Sequence, residues 1–275
     1  MPLKDILVYV DGSREAPATL AASCALARDH DAHLTGLAVD RPPEIPGYAA
    51  IEIPASALEI IEAQRKETAA KARETFEKAV AAAGITDRSR WSLAKGMPLE
   101  SLSLRSRYVD LVVVSQSNPE SPHGASEDMV DDLILVSGRP VLVIPYIGAP
   151  ARIGRKVVVA WNASREAARA VADAMPILEA AESVEVFVVE PNGIGDAPGA
   201  DIAEHLARHG VNAVASRTAG MDIDVGDVLL NQISDSGADL IVMGGYGHSR
   251  MRELVLGGAT RHILQHMTVP VLLSH

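Results

Sequence analysis

Residues 238–261, ADLIVMGGYGHSRMRELVLGGATR, combine an apolar run with two groups of glycines. The run LIVM, residues 240–243, predicts a buried strand, and the glycine-rich GGYG, residues 244–247, follows where that strand ends. A segment with a helical pattern then leads to a second glycine pair, residues 257–258. This order predicts a loop at the carboxyl end of a strand, the place where α/β proteins bind ligands.

The two groups of glycines favour the binding of an anion. Glycine lets the backbone take φ > 0 and lets a ligand approach the main chain, so that N–H groups can point into one concavity. Residues 259–266 predict a further helix, whose free N–H groups and positive dipole end face the same concavity. Both features favour phosphate, and a tight turn without a ligand is the structural alternative.

The glycine spacing resembles the G-x2-G-x9-G-[S/T] nucleotide loop of the universal stress protein family. Gly244, Gly247 and Gly257 match its three glycines. Where ATP-binding members of the family usually carry Ser or Thr, this chain has Gly258, and a hydroxyl follows only at Thr260. The resemblance implies that the loop binds ATP, with or without Mg²⁺.

The chain also contains an internal repeat. DILVYVDGSREA, residues 5–16, aligns with KVVVAWNASREA, residues 156–167, and DLVVVS at 110–115 aligns with DLIVMG at 239–244. The first copy holds about twenty extra residues between its second and fourth strands. The proline-rich segment 41–54 is the expected insertion.

Each copy alternates short β-branched runs with amphipathic or alanine-rich helices, which is the pattern of a parallel sheet with covering helices. The predicted strands are 5–10, 34–39, 89–93, 110–115 and 140–145 in the first copy, and 156–161, 184–189, 212–217, 239–243 and 270–273 in the second. Right-handed crossovers then make each copy a doubly wound α/β domain with a five-stranded parallel sheet. The predicted domains are 1–148 and 152–275.

This arrangement resembles a tandem universal stress protein over essentially all 275 residues. In single-domain relatives the last strands pair across a dimer, and PVLVIP at 140–145 and PVLLSH at 270–275 are the matching segments. We expect these segments to join the two halves into a pseudo-dimer, with further self-association left open.

The two copies differ in charge. In place of the glycine loop, the first copy has SQSNPESPHGASEDMVDD, residues 115–132, with Gly124 as its only glycine. Its carboxylates repel a triphosphate and complement the helix dipole themselves, so we expect no nucleotide in this copy. For the acidic cluster, a capped and solvated helix end is favoured over a metal site.

Further candidate residues in the second copy follow from the resemblance. Family members commonly direct an aspartate toward adenosine at the end of the first strand, where this chain has Asn162. Val188 stands on strand two, where the family makes its main-chain contact to adenine. The candidate nucleotide-binding residues are Ala160, Trp161, Asn162, Val188, Met243, Gly244, Gly247, His248, Gly257, Gly258 and Thr260. Core packing is the alternative for the apolar members. Arg250, Arg252 and Arg261 lie close enough in sequence to reach phosphate oxygens, with a solvated helix face as their alternative.

Composition limits the partners. A net charge of −11 argues against nucleic acid and anionic membranes, and only two Phe, two Trp and five Tyr are present to stack on bases. No apolar run approaches the ~20 residues that cross a bilayer, and the N-terminus lacks a secretory signal pattern. With a single cysteine, Cys24, these features predict a cytoplasmic protein.

The pairs His205/His209 and His262/His266 have helical i, i+4 spacing, but zinc needs further ligands, so no metal site is assigned.

Three functions are compatible with these features. The first is a stress-response protein in which an adenine nucleotide, ATP, occupies the second copy and regulates conformation or the choice of an unknown protein partner. The second is a weak ATPase or a nucleotidyl transferase. Because the sequence has no HxGH, KMSKS-like or SGGxDS signature and no obvious base to activate water, no catalytic residue is assigned. The third is a scaffold that binds a non-nucleotide small molecule or an apolar ligand shielded by residues 47–64.

Overall fold

The computed structural model describes residues 3–42, 54–118, 120–121, 124–190, 198–219, 224–246 and 258–275, and the structural statements below concern these residues. The first half contains β1 (Asp5–Tyr9), α1 (Ala16–Asp29), β2 (His33–Asp40), α2 (Ala55–Ala83), β3 (Ser89–Lys95), α3 (Pro98–Ser106), β4 (Leu111–Ser115), α4 (Glu127–Val136) and β5 (Val141–Ile144). The second half contains β6 (Lys156–Ala160), α5 (Arg165–Leu178), β7 (Ser183–Glu190), α6 (Pro198–Arg208), β8 (Ala213–Ala219), α7 (Val225–Ser236), β9 (Leu240–Gly244), α8 (Ala259–His266) and β10 (Val271–Ser274). Both halves thus have the same order of described elements.

All ten described strands form one sheet in the order β3-β2-β1-β4-β5-β10-β9-β6-β7-β8. Neighbouring strands are parallel within each half, and β5 and β10 pair antiparallel at the junction. The predicted fold of two doubly wound α/β domains is confirmed. All ten predicted strands begin and end within two residues of the observed ones.

The junction between the halves is a buried strand pair. In β10, Leu272 stands opposite Leu142 of β5, and Val271 and Leu273 stand opposite Val143 and Val141. All of these side chains are buried. The prediction that the C-terminal strands pair across the interface is therefore confirmed, and the sheet continues without a break from one half to the other.

Helices cover both faces of the sheet, as alternating side chains of buried parallel strands require. On one face the helices α1, α2, α5 and α6 contribute buried residues that include Leu20, Phe76, Val171 and Leu206. On the other face the helices α3, α4, α7 and α8 contribute Leu102, Leu133, Leu229 and Ile263. The carboxyl ends of the strands are thus left at an edge between two helical layers.

The extra length of the first copy lies largely in a helix, which corrects the expectation that the proline-rich segment 41–54 supplies it. Helix α2 spans 29 residues, whereas its counterpart α6 spans 11. Ala72, Phe76 and Val80 recur every four residues on its buried side. On its exposed side, i, i+4 ion pairs such as Glu67–Lys71 support the helix. Most of the proline-rich segment, residues 43–53, lies outside the described residues.

Cys24 is buried in α1, as expected for a small packing residue. Burial raises the pKa of its thiol to about 11, so the thiol stays protonated at neutral pH. Among the described helices, none is both long and apolar enough to cross a membrane.

Candidate functional site

The described candidate residues of the second half meet at one edge of the sheet. Ala160, at the end of β6, pairs in register with Met243 of β9 on one side and with Phe187 of β7 on the other. Asn162 follows β6, and Gly244 ends β9. The strand order reverses between β6 and β9, and ligands of doubly wound sheets bind at such a point. These strand ends therefore lie side by side, and the nucleotide contacts of their residues stay predictions.

Asn162 shapes the loop between β6 and α5. Its Oδ1 accepts a hydrogen bond from the Ser164 N–H at 3.1 Å, and Ser164 Oγ caps α5 by accepting from the Ala167 N–H at 3.1 Å. In the first half, Asp11 Oδ1 accepts from the Ser13 N–H at 3.0 Å in the same way. The sequence repeat is thus reproduced in the hydrogen bonds of the two loops.

Close packing against neighbouring helices requires glycine at positions 244 and 245. A Cβ on Gly244 would lie 2.6 Å from the Ala167 nitrogen and 2.7 Å from the Glu166 carbonyl carbon. A Cβ on Gly245 would lie 2.8 Å from a methyl group of Ile134 in the other half. These glycines let the end of β9 approach α5 on one side and α4 on the other, whether or not a ligand is present.

Thr260 ties the start of α8 to the end of β9. Its side chain is buried, and its Oγ1 accepts a hydrogen bond from the Tyr246 N–H at 3.3 Å. Tyr246 has a φ of 55°, which is unusual for a residue other than glycine. The predicted hydroxyl at position 260 is therefore present at the site, but in this structure it holds the loop backbone.

The start of α8 presents main-chain donors that no side chain of the described residues caps. Gly258 is its N-cap residue, and no side chain caps the helix. The first N–H groups of an α-helix have no partner within the helix, and they attract anions. Gly247, His248 and Gly257, together with Arg250 and Arg252, lie outside the described residues, so their predicted contacts stay predictions.

Arg261 is held by the other half of the molecule. Its Nε lies 2.8 Å from Glu127 Oε1 at the start of α4, and Gln265 Nε2 donates to the same oxygen at 2.6 Å. The hydrogen bond to Glu127 is the main cause that raises the pKa of Arg261, and the charge of the buried Asp131 adds to it. Sequence analysis assigned Glu127 only to the dipole of α4 and missed this contact, which joins residues 134 positions apart.

The apolar candidates lie in or beside the core. Val188 is buried, and Met243 and Ala160 belong to the cluster on the α7 and α8 side of the sheet. Trp161 packs against the cluster on the opposite face, and its main-chain N–H donates to the Phe187 carbonyl at 2.9 Å. These side chains pack the sheet, and their predicted contacts with a nucleotide stay predictions.

The first half has a cavity of 570 Å³ at the corresponding strand ends, and it is lined in part by Ile61 and Gln64 of the segment 47–64 that the third hypothesis invokes. It lies where β1, β2 and β3 end and where α2 and α4 begin to cover them. Its lining includes Tyr9, Asp11, Val39, Asp40, Arg41, Ile61, Gln64, Arg65, Thr68, Leu99, Asp128, Met129 and Asp132. The signal that sequence reasoning lacked was the long helix α2, whose residues form one wall.

Asp11 closes one side of this cavity. Its Oδ2 accepts a hydrogen bond from the Ala125 N–H at 3.0 Å, just before α4. Burial raises the pKa of Asp11, although hydrogen bonds from Ser13 and Ala125 oppose the shift. A main-chain donor that could face a ligand phosphate is therefore already used by a carboxylate of the protein.

Glu15 fixes the loop after β4 in the first half. Its Oε1 accepts from Asn118 Nδ2 at 2.6 Å and from Arg14 Nε at 2.8 Å. Burial works against ionisation, yet hydrogen bonds from Arg14, Asn118 and Ser121 outweigh it and lower the pKa of Glu15 to about 2. The loop that replaces the glycine-rich one is thus tied to α1 by an ionised carboxylate.

The rings of His205 and His209 meet edge-on, and those of His262 and His266 stack. The His205 and His209 rings lie 4.8 Å apart, and those of His262 and His266 lie 4.4 Å apart. His262 Nε2 lies 2.9 Å from Asp227 Oδ1 on α7. Within the described part of the chain, no group of three or more potential metal ligands was found.

Parts of the chain are similar in sequence to known proteins. Residues 154–275 match the model of the universal stress protein family. A universal stress protein of Synechocystis is 39% identical over 46 residues, which are 17% of this chain and 16% of that protein. The chain therefore spans only a small part of this relative.

Solved structures match the whole chain in fold. A universal stress protein from Archaeoglobus fulgidus has a TM-score of 0.77 at 16% identity, covering 98% of this chain and 95% of that chain. A functionally unknown protein from Pseudomonas aeruginosa has a TM-score of 0.57 at 14% identity, covering 99% and 92%. At these identities the likeness concerns the fold.

Proposed function

We propose that residues 154–275, which match the model of the universal stress protein family, bind an adenine nucleotide, ATP, and act as a regulatory module in a cytoplasmic stress response. The observation that carries the proposal is the meeting of the ends of β6 and β9 with the uncapped start of α8 at the point where the strand order reverses. Main-chain N–H groups there suit phosphate oxygens. The wall formed by Ala160, Trp161 and Val188 suits a base, and the exposed Asn162 can hydrogen-bond a ribose or a base.

The contact between Arg261 and Glu127 supports a regulatory role. Arg261 lies in the first turn of α8, close to the proposed phosphate position, and Glu127 begins α4 in the other half. A phosphate group competes with Glu127 for the guanidinium, because Arg binds both anions through the same donors. Nucleotide occupancy then changes the contact between the halves, and with it the surface offered to a protein partner.

Calorimetric titration of the full chain with ATP and Mg²⁺ tests the proposal. We expect one nucleotide per chain, since the carboxylates of the first half repel a second one. Gly258→Val should weaken binding at least about tenfold, because a β-branched side chain at the start of α8 obstructs the main-chain donors.

Gly210→Asn is the matched control. This residue precedes β8 at the opposite edge of the sheet, has space for a side chain, and has a φ of 80° that asparagine tolerates. Two equal sites per chain, or equal affinities of the Gly258→Val variant and the unmodified chain, would contradict the proposal.

A further inference from the structure

The cavity in the first half has the size and the wall of a ligand site. Its 570 Å³ falls within the range of small-molecule pockets, about 300–1,000 Å³. Val39, Ile61, Leu99 and Met129 give it an apolar surface, and Gln64 and Thr68 add polar groups from α2. A ring compound with a polar substituent matches such a surface.

The charge of the wall is negative. Among the described residues that line the cavity, four carry carboxylates and two carry guanidinium groups. One of the two, Arg65, is paired with Asp40 at 2.6 Å. Tyr9 remains neutral, because burial raises the pKa of its phenol. The field in the cavity therefore favours a cation over an anion.

Two main-chain donors near the start of α4 that an anion could bind are already bonded to side chains of the protein. Asp11 takes the Ala125 N–H, and the N-cap Ser126 takes the Met129 N–H at 3.3 Å. Glu127 and Asp128 add negative charge to the first turn of α4, where an anion would otherwise be attracted. The start of α4 is thus capped from within, in contrast to the uncapped start of α8.

We propose that this cavity binds a small organic cation, an amine attached to an apolar ring, and rejects anionic analogues of the same size. The ring lies against Val39, Leu99 and Met129, and the ammonium group faces Asp11, Asp128 and Asp132. This inference does not rest on nucleotide binding in the second half, because a different cavity carries it.

Three indole compounds that differ in charge provide the test. Tryptamine is a cation, tryptophol is neutral and indole-3-acetate is an anion at neutral pH. Titrated into the full chain, tryptamine should bind at least about tenfold more tightly than indole-3-acetate, with tryptophol between them. Methyl NMR signals of Met97 and Met129, which line the cavity, should shift, while that of Met175 on α5 should not.

Single substitutions test whether a carboxylate of the cavity wall causes the preference for tryptamine. Asp128→Asn should weaken tryptamine binding severalfold and leave tryptophol unchanged, because only the cation loses an attractive charge. Glu74→Gln on the exposed side of α2 removes the same charge away from the cavity and should change neither affinity. The Gly258→Val variant should bind tryptamine normally, which separates this result from the nucleotide test.

Several results would overturn the inference. These are equal affinities for tryptamine and indole-3-acetate, no saturable binding of any of the three compounds, or shifts that spare Met97 and Met129. An Asp128→Asn variant that retains the full preference for tryptamine would do so as well.

Discussion

Ala163 shows how one residue differs between two otherwise equivalent loops. It follows Asn162 with a φ of 57°, and its counterpart in the first half is Gly12, with a φ of 74°. The left-handed region costs an alanine about 1–2 kcal/mol because its Cβ approaches the following carbonyl oxygen. Glycine does not pay this cost, although it loses more backbone entropy on folding.

Ala163→Gly should therefore stabilise the protein by about 0.5–1 kcal/mol. The side chain is exposed, so no packing is lost. Urea unfolding measures the change. The same substitution at the exposed helical position Ala168 serves as the control, and it should destabilise by about 1 kcal/mol. A loss of stability at position 163 would show that the left-handed backbone is not strained there.

At the scale of elements, Glu15 connects the start of α1 to the loop after β4. Its pKa of about 2 lies below the ordinary value of 4.5, so its ionised form is stabilised in the folded state. Such a group contributes stability above its unfolded pKa, and the contribution is lost as the pH falls from 4.5 toward 2.

Glu15→Gln should lower the free energy of unfolding at pH 7 by at most about 3.5 kcal/mol, since one pKa unit corresponds to about 1.4 kcal/mol. The difference between the variant and the unmodified protein should shrink between pH 4.5 and pH 2, because the glutamate becomes protonated there. Chemical denaturation over this pH range tests both statements. Glu67→Gln on the exposed side of α2 is the control and should leave the free energy of unfolding nearly unchanged, because solvent screens an exposed ion pair. A pH-independent difference for Glu15→Gln would argue against an ionised, hydrogen-bonded carboxylate.

At the scale of the whole molecule, the halves share one sheet and one buried strand pair. Leu142 and Leu272 face each other at the centre of that pair. Because β5 and β10 each complete the sheet of the other half, separating them exposes two apolar strand edges. The halves should therefore unfold together.

The two tryptophans allow this to be measured, since Trp91 lies in the first half and Trp161 in the second. In Trp91→Phe and Trp161→Phe variants, the remaining fluorophore should report the same unfolding midpoint. Leu272→Asp places a charge in the buried pair, and it should lower both midpoints and separate them. Different midpoints without the Leu272 substitution would indicate that the halves unfold independently.

Sequence alone determined the features that depend on neighbouring residues and on the repeat. The ten strands and the helix from Ala259 to His266 follow from periodicity, glycine positions and the alignment of residues 5–16 with 156–167. These signals are local, so they survive without knowledge of the assembled fold. The pairing of the two C-terminal strands was implied by the resemblance to tandem universal stress proteins.

Only the tertiary structure decided which distant groups meet. It packs Gly244 against α5, holds Arg261 with Glu127, and turns the long helix α2 into one wall of a cavity beside Asp11. Arg261 and Glu127 lie on different elements and are far apart in the chain, and the same is true of Asp11 and α2. No pattern within a helix or a strand records such contacts, because they arise only when the strands have been ordered and the helices have settled on the two faces.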